Sequence, residues 1–327
     1  MKTVAVLGAG TAGTAMAHVL ASNGSDVRLW GIEAAALNEI GERRRNSKYL
    51  PGLELHPRIQ AKPDLAEALA GAWLVLFSVP TQAIRSLAQK AAPYLGPEQT
   101  LLSVAKGLEV ESRLRMSQVL AQVLPEGLHD RIAAMGGPVI AIELVQGTPT
   151  AVVVGAPDIA LAQAIREALE NDHFKVETTT DICGVELGAT LKNIYAIILG
   201  MCDGSGYRTN TKSFLGSVAM AEMARLGDAL GSQRQTLYSL AGLGDLLTTG
   251  FSPHSRNRTF GEKLIGEDWR QYLDTHTVEG VSACQAVREL ARAQGVEAPL
   301  LDAVYGVLFQ GEPAAATLGR LLRDFSF

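Results

Sequence analysis

The sequence predicts two domains: an α/β domain on a doubly wound parallel sheet of the Rossmann kind, then an all-α-helical domain. Three observations predict this. Short β-branched runs alternate with helical patterns up to about residue 180. The central runs are near-continuous apolar stretches, as in strands buried on both faces of a parallel sheet. Beyond Asp181 the alternation stops and apolar residues recur at three- and four-residue spacing.

The elements run in order along the chain. "TVAVLGAG" (3–10) is a β-branched run ending in glycines, and the good helix formers of "TAMAHVLAS" (14–22) come next, giving strand, tight turn and helix. "DVRLW" (26–30) is a second strand, and "ERRRN" (42–46) reads as a solvated helix end. "WLVLFSV" (73–79) and "TLLSVA" (100–105) are buried strands separated by the helical "TQAIRSLAQKAAPYL"; "RIAAMGGP", "TAVVVG" and "FKVETT" extend the sheet. The boundary is expected at 180/181, giving domains 1–180 and 181–327. Asp181 is a plausible N-cap for "DICGVELGATLKNIYAIILGMCDG", long enough for about six helical turns. "NTKSFLGSVAMAEMARLGDALG", "VEGVSACQAVRELARAQG" and "PLLDAVYGVLFQG" supply further helices.

Composition narrows the function. A net charge of −5 gives no global field for nucleic acid, so an anionic ligand must be held by local cations. Cys183, Cys202 and Cys284 are odd in number and match no metal spacing, which suits reduced thiols in a cytoplasmic protein and implies no metal site. The apolar run Ile194–Leu199 falls far short of the roughly 20 residues a membrane span needs, so no membrane insertion is expected.

"GAGTAG" places Gly8, Gly10 and Gly13 at G-x-G-x-x-G spacing. With 33 glycines in 327 residues, that spacing arises by chance about 0.3 times in such a chain, so the pattern alone decides little. Here it comes after a strand and opens a helix, where a tight turn, close approach of a pyrophosphate and helix packing each require a missing side chain. It reads as a dinucleotide grip, which does not by itself specify a reaction.

The chemistry must come from elsewhere. Lys192 shares a helical stripe with Val185, Gly188, Tyr195 and Leu199. A lysine facing packed surface has its pKa depressed and can hand a proton to a developing alkoxide. Lys106, in "SVAKGLE", ends a strand, where open α/β sheets bind ligands. "GLGDLLTTGFSPHSRNR" (242–258) adds Asp245, which could pair with a lysine, and an Arg256, Asn257 fork suited to phosphate. Singly, each has another reading: Lys192 can snorkel, Asp245 can cap a helix, and "SRNR" can be a solvated loop.

Taken together these motifs carry a resemblance. "GAGTAGTA", "RRRNSKYLPG" (43–52), "SVAKGLE" (103–109), "GGPVIAIEL" (136–144), "GVELGATLKN" (184–193), "AGLGDLLTT" (241–249), "SRNR" (255–258) and "VEG" (278–280) occur in the order found in bacterial-type NAD(P)-dependent glycerol-3-phosphate dehydrogenases. The chain resembles that family over essentially its whole length. The resemblance implies hydride transfer between NAD(P)H and dihydroxyacetone phosphate to give sn-glycerol 3-phosphate, for glycerophospholipid synthesis, by a homodimer. It implies Lys192 as the proton-transfer lysine, with Lys106 and Asp245 tuning it. Lys106, Gly137, Lys192, Asp245, Ser255, Arg256 and Asn257 would surround the substrate. Gly8, Gly10, Thr11, Ala12, Gly13, Lys106, Ala141, Arg256 and Glu279 would contact the cofactor. Val139, Ile32, the "TTGF" stretch, and Val218 with Ala219 depart from the usual pattern. The choice between NAD and NADP stays open: Glu33 is the first acid beyond the second strand, and Arg43, Arg44 and Arg45 lie further on. Two other readings remain: a 2- or 3-hydroxy acid dehydrogenase of the same plan, and a non-catalytic cofactor sensor.

Overall fold

The apolar runs of the N-terminal half become one eight-stranded sheet in the computed structural model, which describes residues 2–266 and 269–324. The strands are β1 (Thr3–Leu7), β2 (Asp26–Trp30), β3 (Ile59–Lys62), β4 (Leu74–Phe77), β5 (Thr100–Ser103), β6 (Ile132–Gly136), β7 (Thr150–Gly155) and β8 (Phe174–Thr179). Their order is β3-β2-β1-β4-β5-β6-β7-β8. β1 pairs in parallel with β2 and β4, β2 with β3, β4 with β5, β5 with β6 and β7 with β8. Val4–Leu7 and Leu74–Phe77 are fully buried, as two-faced burial of a central parallel strand requires. β3, an edge strand of only four residues, is the one that apolar patterning missed: in "IQAK" only Ile59 is buried.

The chain divides into two compact units. Unit 1 comprises Met1–Ala105, Met116–Met135 and Val139–Ile182; unit 2 comprises Lys106–Arg115, Gly136–Pro138 and Cys183–Phe327. In unit 1 the crossovers carry α1 (Thr11–Ser22), α2 (Ala34–Arg43), α3 (Leu65–Leu69), α4 (Ile84–Ala91), α5 (Met116–Val123), α6 (Ala141–Val145) and α7 (Ile159–Leu169). Strand order reverses between β1 and β4, the point at which doubly wound sheets bind ligands beyond their strand ends.

Unit 2 is helical and built on α8 (Ile182–Gly204). Every residue from Gly184 to Cys202 is buried, so α8 has no solvent face and the Lys192 stripe is one side of a helix packed all round. α8 is long and apolar enough by composition to cross a membrane, a length that the Ile194–Leu199 run alone does not suggest, yet 89% of its most apolar window is buried within the protein. Leu191, Ile194 and Ile198 join a core with Leu215, Met223, Phe260 and Val287. The other helices are α9 (Thr209–Ala229), α10 (Arg234–Tyr238), α11 (Asp245–Phe251), α12 (Arg256–Lys263), α13 (Trp269–Thr275), α14 (Glu279–Ala293), α15 (Pro299–Phe309) and α16 (Ala314–Asp324).

Candidate active site

Within unit 2 the sequence-predicted cations meet on one carboxylate. Asp245 accepts from Lys106 Nζ through Oδ2 at 2.6 Å, and its Oδ1 lies 3.0 Å from Lys192 Nζ. Asp245 is 2% exposed and Lys192 7%. Neither snorkelling nor a capping role describes these two residues, since both side chains are buried against each other. Lys106 Nζ also donates to the Gly137 carbonyl at 2.8 Å. Gly137 has φ +130°, a backbone conformation that a side chain would strain, and this aims its carbonyl at the ammonium.

Local structure explains how Asp245 arrives there. A π-helical turn, Leu240–Gly244, runs directly into α11 and lies so close to α8 that a Cβ on Gly188 would sit 2.5 Å from the Ala241 carbonyl oxygen. Such turns insert a residue into the helical repeat and re-aim the side chains of the next helical segment. Thr249, one turn along α11, accepts from Lys192 at 2.7 Å and donates to Asp245 Oδ1 at 3.2 Å. Thr249 was not among the expected residues, although its place four residues after Asp245 puts both on one helix face. Asn193 was missed too. It comes directly after Lys192 and links three elements: its amide donates to the Lys106 carbonyl and to Glu279 Oε2, both at 3.3 Å, and its Oδ1 accepts from Asn257 at 2.8 Å.

"SRNR" is helical rather than a solvated loop. Ser255 caps α12, its Oγ accepting from the Arg258 N–H at 3.2 Å. Arg256 and Asn257 are then the first two helical residues, whose N–H groups have no intrahelical acceptor. Asn257 is buried, its Oδ1 accepting from the Gly280 N–H at 2.9 Å. Arg256 is exposed.

The electrostatics suit proton transfer. Burial pulls the Lys192 ammonium below the usual lysine range, Asp245 opposes that, and Lys106 adds to it. For Asp245 burial raises the carboxyl, but Lys106 and Lys192 outweigh it, so the group is held below its ordinary value. Glu279 is raised by burial, against the pull of Lys192, Arg256 and Lys106. A buried cation of depressed pKa beside a fixed anion is poised both to give up and to regain a proton.

Unit 1 presents the glycine turn. Gly8 has φ +123°, and a Cβ there would lie 2.2 Å from the Ser78 carbonyl oxygen; at Gly13 it would lie 1.8 Å from that of Gly8. Those two glycines serve the turn and the packing of helix on strand. Gly10 differs: a Cβ there meets no protein atom within 4 Å. It leaves room beside the first turn of α1, where Thr11 and Ala12 are exposed and no acid stands. A dinucleotide pyrophosphate fits that chemistry. Ala141, the first residue of α6, is partly buried in this unit. The segment after α2 is tied to the turn: Asn46 donates to the Ala9 carbonyl at 2.9 Å, and Glu33 is held by Lys48 at 2.6 Å and by the Tyr49 hydroxyl. Arg43, Arg44 and Arg45 are exposed.

Two family models match: the NAD-dependent glycerol-3-phosphate dehydrogenase N-terminus over residues 3–162 and its C-terminus over 181–318. The chain belongs to this family. It is 40% identical over 326 residues to a glycerol-3-phosphate dehydrogenase (NAD(P)+) of Bacillus velezensis, covering 98% of this chain and 94% of the relative. It is 43% identical over 325 residues to a second such enzyme of Mycobacterium tuberculosis, covering 98% and 97%. The crystal structure of glycerol-3-phosphate dehydrogenase from Coxiella burnetii matches with a TM-score of 0.92 at 32% identity, covering 98% of each chain. As a member of this family the chain combines the Rossmann-type sheet of unit 1 with the lysine-rich helical site of unit 2.

Proposed function

We propose that the chain reduces dihydroxyacetone phosphate to sn-glycerol 3-phosphate, reversibly, with Lys192 as proton donor. The observation that carries this reading is Lys192 itself: a buried ammonium whose burial lowers its pKa while Asp245, 3.0 Å away, opposes that lowering. The nicotinamide, when bound, supplies the hydride to the carbonyl carbon. Lys192 Nζ gives its proton to the carbonyl oxygen as negative charge develops there, and takes it back from the hydroxyl in oxidation. Lys106, fixed by Asp245 and the Gly137 carbonyl, adds a second positive charge toward that oxygen.

The phosphate falls to the N-terminus of α12. Arg256 makes no ion pair or hydrogen bond among the described residues, and with Ser255 and the N–H groups of Arg256 and Asn257 it offers a charged fork and free donors. Gly8, Gly10, Thr11, Ala12 and Gly13 take the cofactor pyrophosphate, and Lys106, Ala141, Arg256 and Glu279 its remainder. This reading includes a cytoplasmic homodimer serving glycerophospholipid synthesis, which suits three free cysteines of which Cys202 and Cys284 are buried.

The test monitors reduced-cofactor absorbance with dihydroxyacetone phosphate and with dihydroxyacetone. Turnover should need the phosphorylated ketone at far lower concentration. In Arg256→Ala the phosphorylated ketone should lose about 1.5–3 kcal/mol of kcat/KM and the unphosphorylated one little. Equal losses would remove Arg256 from the phosphate.

A further inference from the structure

The C-terminal end of α8 carries an ion cluster that the proposed reaction does not use. Oδ2 of Asp203 accepts from Lys212 Nζ at 2.6 Å and from Arg258 Nε at 2.6 Å. The three side chains belong to the last turn of α8, the first turn of α9 and the third residue of α12. They are 17%, 9% and 17% exposed, so salt screens them less than a surface pair. Lys212 Nζ also lies 4.7 Å from the ring centroid of Phe251, the last residue of the helix that carries Asp245 and Thr249.

Beside this cluster α8 and α12 meet backbone to backbone. A Cβ on Gly200 would lie 1.9 Å from the Arg258 carbonyl oxygen, one on Gly204 2.5 Å from that of Glu262, and one on Gly261 1.9 Å from that of Ile197. Helices are normally held in register by side-chain ridges seated in grooves. Glycine faces allow close approach but offer few ridges, so the register of α12 along α8 depends on its side-chain ties: Phe260 in the shared core, Asn257 on Asn193 at 2.8 Å near Lys192, and Arg258 on Asp203 at the far end. The charge-assisted pair from Arg258 to Asp203 stands at the end of that smooth contact. Arg258 is also the residue whose N–H the Ser255 hydroxyl caps, so it sits on the same turn as Ser255, Arg256 and Asn257.

We infer that Asp203 is a positioning residue for the phosphate end of the substrate. By drawing Lys212 and Arg258 onto one carboxylate oxygen it sets the register of α12 on α8, and with it the spacing between the N-terminal turn of α12 and Lys192. The inference rests on the reading that this turn takes the phosphate. Asp203 acts through Arg258, so its removal shifts the phosphate site without removing any of its donors.

The test compares kcat/KM for dihydroxyacetone phosphate with that for dihydroxyacetone in Asp203→Asn, which keeps the side chain's size and discards its charge. The ratio should fall about tenfold, chiefly through KM of the phosphorylated ketone, because sub-ångström misplacement of a clamp is expensive in rate. Asp203→Glu, which keeps the charge on a longer arm, should give an intermediate ratio. A merely structural role would lower the melting temperature and scale both ketones alike. An unaltered ratio in folded Asp203→Asn overturns the inference; if that variant does not fold, an unaltered ratio in Asp203→Glu does the same. Arg256→Ala, measured alongside, separates two failures. A fall in its ratio with none in the Asp203 variants removes the inference alone, whereas no fall in Arg256→Ala removes the phosphate reading beneath it.

Discussion

Replacing Asp245 by asparagine keeps the shape of the buried cluster and removes the negative charge that Lys106 and Lys192 share. At 3.0 Å, the Lys192–Asp245 attraction is about 5.5 kcal/mol for an effective dielectric constant of about 20. Breaking a buried pair from one side costs about 3–5 kcal/mol of stability. Part of that loss is recovered because Lys192, already held low by burial, gives up its proton more readily once the carboxylate is gone. Reduction needs the protonated lysine. The variant should therefore reduce dihydroxyacetone phosphate about a hundredfold more slowly at neutral pH. Its reduction rate should recover on acidification, with the half-maximal pH below that of the parent. Stability gives a second readout. The carboxyl of Asp245 is lower in the folded protein than in the unfolded chain, so its contribution is complete above the unfolded value, about 3.9, and fades as pH falls through the folded one. The gap in melting temperature between parent and variant should thus narrow in acid. Steady-state rates across the pH range decide the kinetic claim: a folded variant that keeps the parent's midpoint and loses only amplitude would refute the tuning of Lys192 by Asp245.

Lys192→Met, close in volume, should stay folded and bind cofactor while turning over about a hundredfold or more slowly; near-normal turnover would end its assignment as proton donor. Gly10→Val should leave the melting temperature almost unchanged, since a Cβ there meets no protein atom within 4 Å, yet weaken NADH in a fluorescence titration by about tenfold or more. Tight binding in that variant would mean the dinucleotide lies elsewhere. The parent should use NADH and NADPH with efficiencies within about tenfold, or ~1.4 kcal/mol, because Lys48 neutralises Glu33. Lys48→Ala should uncover that carboxylate and tilt the preference toward NADH, and an unchanged ratio would place Glu33 away from the ribose.

Much of the sheet was legible from its β-branched and apolar runs: "DVRLW", "TAVVVG" and "FKVETT" coincide with β2, β7 and β8. β3 escaped because its four residues, "IQAK", bury only Ile59 and form no apolar or β-branched run. In the site, Lys192, Lys106 and Asp245 were found from residue type and motif, and a pairing of Asp245 with a lysine was expected, but the sharing of its two oxygens between both lysines was not, since it joins residues as far as 139 apart in sequence. Thr249 and Asn193 escaped for a different reason. Threonine and asparagine are common in helices for bland reasons, and only their partners mark them as part of the cluster. "SRNR" stood open between a phosphate fork and a solvated loop, and that it starts a helix escaped because its cap, Ser255, is recognised by the bond to Arg258 and not by its identity.

Unit 2 draws on three separated stretches of chain, which has a consequence for its birth on the ribosome. Lys106 and Gly137 are synthesised before α8, and the Lys106–Asp245 partnership spans 139 residues. At about 5–20 residues per second, roughly 7–28 seconds separate synthesis of the cation from synthesis of its carboxylate. During that interval the ammonium can stay in water, where it needs no partner, and it must be dehydrated only when α11 arrives. Glu279 and the cap of α14 come later still. The nascent chain thus has its sheet segments first and the Lys106–Asp245–Lys192 cluster last, so a ribosome stalled before residue 245 would hold a polypeptide with the glycine turn made and that cluster incomplete.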